Sequence, residues 1–332
     1  MISRIADYCF WLGRYIERVE SSARLLAATR GLASDADFAV SQCWKPLVIV
    51  AGEEEPFSKL HGGDALGDGE LVQEYLTWSQ ESMVSITRSV KSARHCSRAI
   101  RDQLSLDVWE EINELFLWIG DPAARTLYED NRDEFYRHVR TRTQLILGLM
   151  RSTMLHEDPL NFLWAGVMLE RVGQTARILD MHHHAMVSES TQDAAHRVIE
   201  VALWLSLLRA CSGYEAFMKK YHGQVTAQTA VGFLLFDESF PRSLCYCLNA
   251  AQGLLKRIWP QERGTHSDHD SVEQASSLLS WLRQKSADPY LEQIHQVLTQ
   301  VVDRTATVCD RIAVEILRPS LPESVAQSNA QA

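Results

Sequence analysis

No stretch of this chain approaches the roughly 18–20 consecutive apolar residues that a membrane-spanning helix needs. "VALWLSLL" at 201–208 is among the longest apolar runs, so no transmembrane segment is expected. The N-terminal "MISRIADYCFWLGRYIER" sets Asp7 and Arg14 around a brief apolar run and lacks a small-residue cleavage site, unlike a secretory leader. Cysteine occurs seven times but never as CxxC, and Cys245-Tyr246-Cys247 has neither zinc-ligand nor thioredoxin spacing. Buried free thiols and a cytoplasmic location follow as expectations. A Gly-rich phosphate loop and a Gly-x-Ser-x-Gly elbow are also missing, so no cofactor is expected in this chain. Positive charge is scarce: 33 Lys+Arg against 43 Asp+Glu give a formal charge of −10. That balance disfavours non-specific attraction to nucleic acid or an anionic membrane, and neither is expected as a partner.

What is present points to a folded helical protein. Apolar residues make up 46% and charged residues 23% of the 332 positions, close to the usual globular balance. Strand-like alternation is almost absent, whereas apolar residues recur at spacings of three and four, which predicts an all-α chain. Helices are expected near 3–32, 37–51, 70–104, 106–119, 124–155, 159–187, 190–221, 224–235, 240–258, 270–285 and 289–318. Ser105, Asp158-Pro159 and Asp288-Pro289 read as helix starts. Residues 52–70 and 259–271 read as loops, and 319–332 as a disordered tail.

The chain also repeats itself. "WLGRYIERVESSARLL" (11–26) laid over "WAGVMLERVGQTARIL" (164–179) matches at eight of sixteen positions, among them Gly13/Gly166, Glu17/Glu170, Arg18/Arg171 and Arg24/Arg177. A weaker match pairs Trp44, Leu47, Glu55 and Phe57 with Trp204, Leu207, Glu215 and Phe217. The simplest account is a duplicated unit: a helical bundle with a first half over 1–150 and a second over 151–318, packed as one body with a pseudo-two-fold relation.

At about 100° per residue, Gly13, Glu17, Glu20 and Arg24 fall on one helical stripe, and Gly166, Glu170, Gly173, Arg177 and His184 on its counterpart. A solvated face would diverge most freely after duplication, yet these positions share Gly, Glu and Arg. One reading buries both stripes, with the helices crossing near Gly13 and Gly166 and each glutamate pairing with an arginine of the other copy. The other makes Glu17 and Glu170 general bases or ligands in a cleft, with arginines clamping a carboxylate or phosphate. Arg18 and Arg171 point about 100° off the stripe, toward a different contact.

The blocks "SRIADYCFWLGRYIERVESSARLL" (3–26), "SARHCSRAIRDQLSLDVWEEIN" (92–113), "MLERVGQTARILDMHHH" (168–184), "RACSGYEAF" (209–217) and "FPRSLCYCL" (240–248) occur in an order that resembles the bacterial alpha-E family. That family is all-helical and named for an ER motif, which would be Glu17-Arg18 and Glu170-Arg171 here. The resemblance covers about 3–318 and implies a partner: a circularly permuted ATP-grasp protein, often beside a transglutaminase-like protease. ATP and Mg would then belong to the ligase, and this chain would be a non-catalytic or co-catalytic subunit of an amide- or peptide-bond-forming system. A stand-alone transferase or hydrolase using Glu17 and Glu170, and an oligomerisation scaffold, are the alternatives. A homo-oligomer is compatible with each.

Arg88, Lys91, Arg94, Arg98 and Arg101 recur every three or four residues and form one basic helical stripe, a candidate surface for an acidic peptide, a nucleotide phosphate or an acidic partner helix. Arg18, Arg24, Arg171, Arg177 and His184 complete the candidate binding residues. His182, His183 and His184 are consecutive and cannot all face one metal. "HSDHD" (266–270) lacks a recognised cage, and Glu292-x-x-His295 is a single ExxH where a di-iron bundle needs two. No metal site is expected.

Overall fold

The computed structural model describes residues 3–35, 40–186, 194–260, 270–285 and 293–317. Fifteen α-helices and two 3₁₀ turns occupy most of them, with no strand among the described residues. The longest are α1 (Ser3–Asp35) and α9 (Asp158–Met186), the two that carry the repeated segments. Both are buried on nearly every side, charged residues included. Cys9, Leu12, Ile16, Val19, Ala23 and Leu26 of α1 are buried, as are Leu163, Val167, Leu169, Val172, Ala176 and Leu179 of α9. Helices with so little exposed surface form the centre of the bundle, and these two pack most extensively against each other.

Their crossing is set by two glycines. A Cβ on Gly13 would lie 1.9 Å from the Leu163 carbonyl oxygen, and one on Gly166 would lie 2.1 Å from that of Phe10. Any side chain there would overlap backbone, so both copies need glycine for the same contact. The contacts are reciprocal, since each glycine meets the carbonyl three residues before the other.

The remaining helices wrap this pair. Helices α5 (Ile86–Ala99) and α8 (Arg132–Thr153) flank α1, while α13 (Leu244–Ile258) and α15 (Ile294–Leu317) flank α9. Helix α6 (Leu106–Ile119) bridges α5 and α8, and α14 (Asp270–Arg283) bridges α13 and α15. Two helices cross over: α2 (Val40–Val50) lies mainly on α9, and α10 (Ala194–Ala210) mainly on α1. Ser206 of α10 donates to the Ala28 carbonyl of α1 at 3.2 Å. No described helix is long and apolar enough to cross a membrane.

Several expected boundaries are corrected. The single helix over 70–104 is α4 (Gly69–Trp78) and α5, parted by a serine-built turn in which Ser85 Oγ donates to the Ser79 carbonyl and accepts from the Arg88 amide. The helix over 124–155 divides into α7 (Pro122–Asp130) and α8 at Asn131, whose side chain caps α8 through the Glu134 amide. The helix over 190–221 breaks at Ser212, which takes a positive φ of 53° before α11 (Tyr214–Tyr221). The loop over 52–70 contains α3 (Glu54–His61) and a 3₁₀ turn, Gly63–Gly67. Ser105 caps α6 as expected, through the Val108 amide. The Asp288-Pro289 start and the 319–332 tail lie outside the described residues.

Candidate functional site

The glycine contact brings the two ER segments face to face, and their charges interlock. Glu17 is fully buried and accepts from Arg171 Nε at 3.1 Å and Nη2 at 2.7 Å. Glu170, also buried, accepts from Arg18 Nε at 2.7 Å and Nη2 at 3.0 Å. Each glutamate therefore pairs with the arginine of the other copy, as one reading of the stripe expects. The arginine is the one adjacent to the glutamate in sequence, not the stripe arginine. A guanidinium's long stem crosses the 100° offset, and its planar fork fits a carboxylate with two hydrogen bonds. Each glutamate also accepts from the side chain four residues on: Ser21 for Glu17 at 3.2 Å and Gln174 for Glu170 at 3.1 Å.

Beyond this shared frame the two sides differ. On the Glu17 side, Arg242, just before α13, donates to Glu17 Oε1 at 2.6 Å and Glu20 Oε2 at 2.5 Å. Glu20 is buried, receives Gln144 Nε2 at 3.2 Å and is ion-paired with Arg24. On the Glu170 side, Arg14 Nε donates to Glu170 Oε2 at 2.9 Å. The residue in the position of Glu20 is Gly173, so Arg177 has no counterpart carboxylate. Among the described residues Arg177 has no hydrogen-bonded or ion-paired partner. Sequence reasoning missed Arg14 and Arg242, the latter visible only as a member of the 240–248 block, and it placed Arg88 in the basic stripe without joining it to the ER helices.

A cavity of about 310 Å³ opens on the Glu170 side. Arg14, Arg18, Arg88 and Arg177 line it with Glu170, and Leu25, Leu47, Val50 and Leu76 supply an apolar wall. An outer hollow of about 610 Å³ shares Trp11, Tyr15, Arg88 and Ser92 with it and adds Lys91 and His95. Trp11 stacks on Tyr15 at 5.5 Å, and the Arg14 guanidinium sits 4.6 Å from the Trp11 ring centre. Four guanidiniums and one carboxylate that is already engaged make the inner cavity cationic.

The electrostatics follow. Burial alone would raise both carboxyls, but Arg171 and Arg242 hold Glu17 down at about 2, and Arg18 and Arg14 hold Glu170 well below the usual carboxylate range. A carboxylate so depressed is a poor proton acceptor at neutral pH. Burial lowers the Arg177 guanidinium's pKa, Glu170 opposes the fall, and the like charges of Arg18 and Arg14 deepen it. All seven cysteines are free and buried, with thiols such as Cys9 pushed by burial to about 12, away from the reactive thiolate.

The basic stripe over 88–101 divides. Arg88 lines both hollows and Lys91 the outer one. Arg94 turns to α6, donating to Asn113 Oδ1 at 3.0 Å and stacking over Phe116. Arg98 is exposed, and Arg101 lies past the end of α5, over Trp109. The side chain of His184 and the 266–269 ligands lie outside the described residues, and His295 pairs with Asp180 at 2.8 Å. No metal-capable cluster of His, Cys, Asp and Glu occurs among the described residues.

A family model described as a predicted alpha-helical domain with a conserved ER motif matches residues 1–317. The chain is 24% identical over 328 residues to an uncharacterized protein of Mycobacterium bovis, and equally to uncharacterized proteins from two strains of Mycobacterium tuberculosis. Each match covers 92% of this chain and 36% of the relative, so the chain spans about a third of the length of the curated relatives it matches. No solved structure matches it.

Proposed function

The chain belongs to the Alpha-E family, and we propose that it serves as the non-catalytic, peptide-holding partner of a cytoplasmic ATP-grasp amide ligase. The ligase supplies ATP and Mg, and this chain supplies the cationic cavity beside Glu170 as the seat for an acidic peptide. The observation that carries the reading is the unbalanced charge there: Arg14, Arg18, Arg88 and Arg177 surround one carboxylate. The outer hollow, which shares Trp11 and Arg88 with the cavity, offers an extended ligand a second stretch of surface. In this account the two ER helices descend from one duplicated unit, whose halves at 1–150 and 151–318 diverged into a closed side and an open one. A stand-alone transferase or hydrolase would need Glu17 or Glu170 as an acid or base, and both carboxylates are tied up by arginines.

The test has two parts. Calorimetric titration with a tetraglutamate peptide should give salt-sensitive binding that Arg88→Ala weakens about ten- to hundredfold, the loss of one charged hydrogen bond of about 1.5–3 kcal/mol. Adding the chain to the neighbouring ATP-grasp ligase should raise ATP turnover with a peptide substrate. Absent peptide binding together with unchanged turnover would overturn the proposal.

A further inference from the structure

The two sides of the helix crossing differ by one side chain, and that difference describes a ligand. On the closed side the sequence runs Glu17, Glu20, Arg24, and the Glu20 carboxylate reaches Arg24 within the helix while also receiving Arg242 and Gln144. On the open side it runs Glu170, Gly173, Arg177. Gly173 is buried, and a Cβ built on it would point at Arg177 Nη1 from 3.1 Å. Arg177 is thus a partly buried cation with no hydrogen-bonded or ion-paired partner among the described residues. The side chain missing at Gly173 corresponds to the Glu20 carboxylate, and Arg177, which packs over Gly173, lines the cavity.

We infer that the cavity binds one carboxylate group carried on an apolar body of amino-acid size, which takes the place beside Arg177 that Glu20 holds beside Arg24. The geometry favours a carboxylate over a phosphate. On the closed side the group beside Arg24 is itself a carboxylate, and a planar carboxylate matches the guanidinium fork of Arg177, while Glu170 already occupies Arg14 and Arg18. The apolar part lies along Leu25, Leu47, Val50 and Leu76. Arg177 faces the like charges of Arg18 and Arg14 across the cavity, so a bound carboxylate offsets that repulsion and stabilises the fold. This inference rests on the reading of the cavity as an anion seat and specifies what that seat takes.

N-acetyl-leucine, N-acetyl-leucinamide and inorganic phosphate, titrated into the unmodified protein, test it directly. N-acetyl-leucine should bind and raise the melting temperature, with the amide and phosphate each at least tenfold weaker. Gly173→Glu should abolish N-acetyl-leucine binding and raise the melting temperature of the unliganded protein. Gly173→Gln fills similar space without charge and gains the same helix propensity, and it should give a smaller rise. Phosphate binding as tight as N-acetyl-leucine would overturn the carboxylate assignment while leaving the anion seat intact. If neither anion binds, the seat itself is refuted along with the inference.

Discussion

At the scale of single residues, Glu17 is a buried acceptor for two guanidiniums, and its removal leaves Arg171 without a carboxylate and Arg242 with Glu20 alone. Glu17→Ala should lower the unfolding free energy by about 3–5 kcal/mol, the usual cost of breaking a buried ion pair from one side. Urea denaturation reads this directly, and a midpoint equal to the parent's would end the interlocked-pair account. The pH dependence has a definite sign. Glu17 and Glu170 are both depressed in the fold, Glu17 from 4.5 to about 2. Their contribution is present above the ordinary carboxyl value and is lost as pH falls through the folded one. Stability should therefore decline between about pH 4.5 and 2, and Glu17→Gln should flatten that decline; an unchanged slope would contradict the assignment. The importance of Gly13, Glu17, Gly166 and Glu170 was readable because both copies keep them. Which arginine each glutamate meets was not, because angular position on one helix says nothing about where a crossing helix lies. Arg14 and Arg242 were hidden for a related reason: Val167 stands where Arg14 would repeat, and Arg242 comes from a turn remote in sequence.

At the scale of helices, the crossing of α1 and α9 depends on backbone contact at the two glycines. Gly166→Ala places a methyl about 2.1 Å from the Phe10 carbonyl oxygen. It should destabilise by about 1–3 kcal/mol or more as the helices part, despite alanine's advantage of about 1 kcal/mol within a helix. Gly148 in α8 has nothing within 4 Å of its Cβ position, so Gly148→Ala should stabilise by about 0.5–1 kcal/mol. Thermal melts of the two variants should move in opposite directions; movement in the same direction would refute glycine-determined packing. Most helices were legible from apolar spacing, since α1, α6, α9 and α14 lie within a few residues of their expected spans. The breaks were not. Ser85 and Asn131 cap the helices that follow them with no proline or glycine nearby to mark the break, whereas the Ser212-Gly213 pair was a turn signal that the strong apolar spacing on either side masked.

At the scale of the whole molecule, the all-helical class and the interplay of the two ER segments followed from periodicity and repetition. The difference between the two sides was written in the sequence as Glu20 against Gly173, yet it gained meaning only when α1 and α9 were brought together. The central claim is that Arg177 is a cation awaiting an external carboxylate, within a fold whose other arginines at the crossing are held by its own. Arg177→Met, similar in reach and without charge, isolates that claim in a thermal melt at low salt with and without N-acetyl-leucine. The account predicts that the variant melts above the parent when unliganded and gains nothing from the ligand. A variant that melts below the parent and keeps the full ligand-induced shift would contradict it.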